Sequence, residues 1–170
     1  MSPRFNCDRL KDKVAIVTAA TQGKNLRKSV PQSTSAHPWS PQFKYIMKIG
    51  LAIAERLAHE GAKVIISSRK QKNVDEAIDY IVSTGICRNR LAGMPCHVGE
   101  EEQLKKLVDF TLQKFGKIDI LVNNAGINPA FGSALEVGND LFDKLFAVNV
   151  KSGFILTKLV VPIMEKQGYV

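Results

Sequence analysis

Thr18-Ala19-Ala20-Thr21-Gln22-Gly23 follows the apolar run Val14-Ala15-Ile16-Val17, and Ile49-Gly50 opens the helical pattern IGLAIAERLA. With residues 24–48 set aside, these join as TAATQG-IGLAIAERLA, a glycine-bearing turn from a buried strand into a helix. Such a turn lets backbone N–H groups approach a pyrophosphate at the positive end of the helix. Gly23 and Gly50 would be its second and third glycines, with Ala19 in place of a first; the alternative is that both are ordinary turn and packing glycines. Three more stretches put polar groups on apolar runs: Ser67-Ser68-Arg69-Lys70 after Val64-Ile65-Ile66, Asn123-Asn124-Ala125-Gly126 after residues 118–122, and Asn149 in an apolar helical pattern. Taken alone these are a solvated basic loop, an Asn-Gly-type turn and a core Asn with a satisfied amide.

The elements that must position these residues alternate between strand and helix. Continuous apolar runs at 14–18, 64–66 and 118–122, with a weaker one at 91–96, read as strands buried on both faces. Between them lie helical patterns. Ile49, Ile53 and Leu57 share one stripe, and Gly61 stops that helix. Val74, Ala77, Ile78, Ile81 and Val82 repeat at helical spacing up to Gly85. Leu104, Leu107, Val108, Thr111, Leu112 and Phe115 form a third stripe, opened by Glu100-Glu101-Glu102 where the macrodipole favours acids and closed by Gly116. A long last helix over about 140–165 is apolar on nearly every side. This alternation predicts an α/β fold of the Rossmann type: a doubly wound parallel sheet, incomplete, with strands one to four and the following long helix. One sheet cannot cover every face of that helix, so further strands or a partner subunit are expected against it.

LKDKVAIVTAAT, Asn123-Asn124-Ala125-Gly126 and Ala147-Val148-Asn149-Val150, in this order at these joints, resemble the short-chain dehydrogenase/reductase family. SSRKQKNVDEA, CHVG and INPAFGS are most similar to its NADP(H)-dependent carbonyl and retinal reductase branch. The resemblance covers 10–23 and 49–168. It implies hydride transfer between NADP(H) and a ketone or aldehyde. It also implies cofactor contacts from Thr18, Gly23, Gly50, Ser68, Arg69, Asn123, Ala125 and Gly126, and a relay role for Asn149 in the catalytic machinery. At the end of the second strand a carboxylate would select NAD, whereas a neutral residue followed by Arg accommodates a 2′-phosphate; Ser68-Arg69 is the second pattern. His97-Val98 falls where the family often has an Asp-Val pair against the adenine, and His97 is expected to be a packed or surface residue.

The family's chemistry also requires a proton-donating Tyr, a Lys four residues on, and a Ser that holds the carbonyl. The tyrosines are Tyr45, Tyr80 and Tyr169, and none has Lys at +4. The expectation is therefore a single partial dinucleotide-binding domain over 1–170 without a competent active site. The alternatives are a non-catalytic nucleotide-binding or oligomer-partner half-domain, homo- or hetero-oligomeric through the last helix, or a splice product without function.

Residues 24–48 carry no glycine, Pro31, Pro38 and Pro41, and the sole Trp, which points to an irregular insertion within the glycine-rich turn. Lengthening the turn about eightfold costs only ~2 kcal/mol of closure entropy, so stability does not forbid it. Ser40-Pro41, however, reads as an N-cap with Pro at the first helical position, and Phe43, Ile46, Met47, Gly50, Ala54 and Leu57 continue one stripe from it. A helix starting there would carry its positive end ~12 Å past the pyrophosphate position and weaken or abolish cofactor binding; a start near Ile49 would not.

Composition narrows the partners. The net charge is +8, but residues 24–48 hold five cations and no acid, and the remainder carries only +3. A nucleic-acid face is not expected from so local a charge. No uninterrupted apolar run approaches the ~18 residues of a membrane span, the N-terminus has no signal-like apolar stretch, and the C-terminus forms no peroxisomal tripeptide. Cys7, Cys87 and Cys96 have neither disulfide nor metal spacing. A cytoplasmic setting without membrane contact or bound metal is expected.

Overall fold

The computed structural model describes residues 8–21, 49–129 and 133–168. Strands β1 (Val14–Val17), β2 (Lys63–Ser68), β3 (Leu91–Pro95) and β4 (Ile120–Val122) form one parallel sheet in the order β3-β2-β1-β4. The chain adds β2 and β3 on one side of β1, then returns to place β4 on the other. The crevice between the carboxyl ends of β1 and β4 is thus a switch point, where open α/β sheets bind ligands. Register is tight: Ala15 pairs with Val64 on one side and Ile120 on the other.

Side chains alternate across the sheet and define two cores. Val17, Val64 and Ile66 face α1 (Ile49–His59) and α2 (Gln71–Ser83). Ile16 and Ile65 face α3 (Glu101–Phe115) and α5 (Ser152–Lys166). β1 is fully buried, as its unbroken apolar run requires. The stripes expected on α2 and α3 face the sheet, and α3 ends at Gly116 in the left-handed region, φ 79°.

Two expectations need correction. On α1 the buried side is Gly50, Leu51, Ala54, Ala58 and His59, while Ile49 is 68% exposed. Small residues let this helix lie close on the sheet, and the bulkier Ile53 and Leu57 flank the contact. The last helix is not uniform either. It runs as α4 (Asn139–Phe146), a π-helical turn (Ala147–Lys151) and α5. Val148, Leu156 and Val160 are buried, but Phe142, Phe146, Val150 and Phe154 form an exposed stripe at four-residue spacing. Its continuous length, Asn139–Lys166, is long and apolar enough to cross a membrane by length and composition, although Lys151 and Lys158 interrupt every apolar run. Its buried side packs on α3 and the sheet. Gly23, the insertion over 24–48 and the alternative helix start at Pro41 lie outside the described residues.

Candidate functional site

The site is built outward from Thr18 at the end of β1, which is only 2% exposed. Its N–H donates to the Val122 carbonyl at 3.1 Å, and its Oγ1 donates to the same carbonyl at 3.3 Å. The same Oγ1 accepts from the N–H groups of Asn124 and Ala125, each at 3.0 Å. One proton and two lone pairs are then all in use. Thr18 binds the loop after β4 to β1, and its hydroxyl is spent on that task.

Asn124 completes the knot. Its Nδ2 donates to the Thr18 carbonyl at 2.9 Å. A Cβ placed on Gly50 would lie 2.4 Å from that nitrogen, 2.9 Å from the Ala19 carbonyl and 3.0 Å from the Ala20 Cα. Gly50 is therefore the close-approach glycine that lets α1 lie against the ends of β1 and β4. Ala19 holds φ 52°, a left-handed conformation that glycine adopts without strain. The missing first glycine of the turn is thus a real departure, and the backbone keeps the glycine-like shape.

At the neighbouring strand end, the Ala20 N–H donates to the Ser67 carbonyl at 3.1 Å, and Thr21 Oγ1 donates to Ser68 Oγ at 2.9 Å. Arg69 is exposed beside them. The buried Ser67 hydroxyl has no hydrogen-bond partner among the described residues.

Asn123 is exposed and donates from Nδ2 to Thr157 Oγ1 at 3.3 Å. Asn149 makes a reciprocal pair with the backbone of Ile127: its Oδ1 accepts from the N–H at 2.7 Å and its Nδ2 donates to the carbonyl at 2.9 Å. That clamps the loop bearing Gly126 onto the π-helical turn. In that turn the Ser152 N–H reaches back five residues to Ala147, so Val148 loses its ordinary i+4 donor. The Ser152 hydroxyl donates to the Val148 carbonyl instead, at 2.6 Å. A small open recess lies here, lined among others by Thr18, Val98, Asn123, Ala125, Asn149 and Ser152.

Thr18, Gly50, Asn123, Ala125, Gly126 and Asn149 thus converge at one switch point, with Ser68 and Arg69 at the next strand end. Gly23 lies outside the described residues. His97 is half-buried, with its N–H donating to Gln103 Oε1 at 2.7 Å and its Nδ1 accepting from the Gly99 N–H at 3.2 Å. Sequence reasoning quoted Asn124 within Asn123-Asn124-Ala125-Gly126 and Val98 within His97-Val98 without giving either a role of its own, and gave none to Thr21 or Ser152. For Asn124 a signal existed in the doubled Asn after the strand; for Ser152 none did, because π-helical turns have no clear sequence mark. Tyr80 is remote from the recess in function, bridging α2 to α1 through Glu55 at 3.3 Å.

The parallel sheet, its switch point and this polar knot define a Rossmann-type nucleotide fold. The family model described as short chain dehydrogenase matches residues 48–169, and the chain belongs to that family of oxidoreductases. It is 54% identical over 163 residues to dehydrogenase/reductase SDR family member 4 of Caenorhabditis elegans, covering 96% of this chain and 52% of the relative. To the human protein of the same name it is 42% identical over 161 residues, 95% of this chain and 48% of the relative. The chain spans about half the length of these relatives. A C. elegans short-chain dehydrogenase/reductase solved with cofactor superposes with a TM-score of 0.72 at 28% identity, over 92% of this chain and 49% of the other. The 3-ketoacyl-(acyl-carrier-protein) reductase of Brucella melitensis complexed with NADH gives 0.71 at 28% identity, over 94% and 53%.

Proposed function

We propose that these residues are the cofactor-binding half of an NADP(H)-dependent oxidoreductase that reduces ketones or aldehydes. The observation that carries the cofactor choice is the end of β2. Ser68 and Arg69 stand there, and no carboxylate follows before Asp75. An Arg beside a neutral hydroxyl suits a 2′-phosphate, whereas a ribose 2′-OH is selected by an acid. The turn from Thr18 and the Gly50 end of α1 would face the pyrophosphate, and Asn123, Ala125 and Gly126 the second ribose. Asn149, with its amide committed to Ile127, is a positioning residue for that loop. When bound, the nicotinamide supplies the hydride. Delivery of the proton to a carbonyl oxygen is the task of a Tyr-Lys pair that Tyr45, Tyr80 and Tyr169 do not provide. The role proposed for the residues at the switch point is to bind and orient the cofactor. A reducing, cytoplasmic setting is part of the same proposal, in keeping with Cys87 and Cys96 being unpaired among the described residues.

Ser68→Asp tests the reading. A carboxylate there repels the 2′-phosphate and accepts from the 2′-OH, so preference should pass from NADPH to NADH. Retained preference for NADPH in this variant would overturn the proposal. A second reading, a non-catalytic half-domain that pairs with a relative or a second copy, draws on the exposed stripe Phe142, Phe146, Val150 and Phe154. A monodisperse monomer in sedimentation at high concentration would count against it.

A further inference from the structure

We propose that Thr21 sets the preference for a 2′-phosphate as a positioning residue acting through Ser68, an inference that rests on the cofactor site proposed above. Thr21 is 7% exposed, whereas Ser68 is part-exposed at the rim. Backbone bonds hold Ser68 and the residue before Thr21. The Ser68 carbonyl accepts from the Cys96 N–H at 2.7 Å, and the Ala20 N–H ties the turn to Ser67 at 3.1 Å. Across this fixed frame Thr21 Oγ1 donates to Ser68 Oγ at 2.9 Å.

A serine hydroxyl has one proton and two lone pairs. With Thr21 as the donor, a lone pair of Ser68 is filled from the buried side, and its own proton is left for a ligand at the rim, where Arg69 follows in sequence. The strand end then presents a directed donor. A phosphate only accepts, and it completes a chain of hydrogen bonds in one sense, Thr21 to Ser68 to phosphate, in which each bond polarises the next. A ribose 2′-OH must place a proton as well as accept one, and gains less from a site that only donates. Removing the Thr21 donor frees the Ser68 hydroxyl to turn, so the loss falls on the phosphate.

The test titrates the full chain by calorimetry with 5′-AMP and with its 2′-phosphorylated form. Thr21→Val keeps the shape and removes the donor. It should weaken the 2′-phosphorylated ligand about three- to tenfold, the loss of one hydrogen bond, and leave 5′-AMP unchanged. Thr21→Ser should restore binding. In a Ser68→Ala background, Thr21→Val should add nothing. Equal weakening of both ligands, no rescue by Ser, or a full effect without Ser68 would each overturn the proposal. A wild-type chain that binds neither ligand would instead overturn the cofactor site itself, and this inference with it.

Discussion

Ala19→Gly should stabilise the chain. Ala19 sits at φ 52°, where an L-residue pays roughly 1–2 kcal/mol for the approach of its Cβ to the following carbonyl. Glycine removes that strain but makes the unfolded chain freer, which costs about 0.4–1 kcal/mol. Ala19 is exposed, so losing its methyl group gives up little buried surface. The net gain is then about 0.5–1 kcal/mol, or about 1–4 °C in melting temperature for a chain of this size. The assay is urea unfolding of both chains, followed by circular dichroism, with the midpoint shift read at constant m. Ala19→Val supplies the opposite sign, because a β-branched residue tolerates a positive φ least. A destabilised Ala19→Gly, or a neutral Ala19→Val, would show that the turn is not left-handed at this residue and that the reasoning is wrong.

Gly50→Ala should destabilise by about 1–3 kcal/mol despite alanine's better helix propensity, because the added Cβ meets Asn124 Nδ2 at 2.4 Å and backbone atoms behind it; an unchanged unfolding midpoint would contradict that packing. Glu60 is bound by Arg9 at 2.7 and 2.9 Å and by Arg56 one helical turn back, and chiefly the Arg9 bond holds its carboxyl at about 2 against an ordinary 4.5. A depressed carboxylate contributes fully above its unfolded pKa, so stability should decline as pH falls from about 5 through about 2, and Glu60→Gln should flatten that limb of the pH–stability curve. Burial pushes the Cys96 thiol up to about 11, so in the folded chain an aromatic disulfide reagent near pH 8 should leave it unmodified while exposed Cys87 reacts; mass mapping that finds Cys96 labelled at the rate of Cys87 would refute its burial.

Much of the fold was legible because burial on two faces writes unbroken apolar runs, as in Val14–Val17, and because helix stripes such as Leu104, Leu107 and Val108 repeat at the right period. The α1 stripe misled because hydrophobicity favours Ile49 and Ile53, while close packing on a sheet favours Gly50, Ala54 and Ala58. The break in the last helix was invisible, since the π-helical turn is accommodated by a hydroxyl, Ser152, that any exposed helix position tolerates. The structure brings most of the segments named from sequence to neighbouring strand ends, but the division of labour within them is geometric. By resemblance Thr18 was expected as a cofactor contact and Asn149 as a relay residue, and the structure commits both side chains to backbone partners. Asn124, beside the glycine it requires, shows its role only in three dimensions.

The central claim is that this switch point binds NADP(H) in preference to NAD(H), and titration of the purified chain with NADPH and with NADH tests it most directly. NADPH should bind saturably and at least about tenfold tighter than NADH, equivalent to ~1.4 kcal/mol from the 2′-phosphate. Equal affinity for the two would contradict the reading of Ser68 and Arg69. Binding of neither would contradict the site as a whole, and is the result expected if the helix begins near Pro41 and carries its positive end past the pyrophosphate.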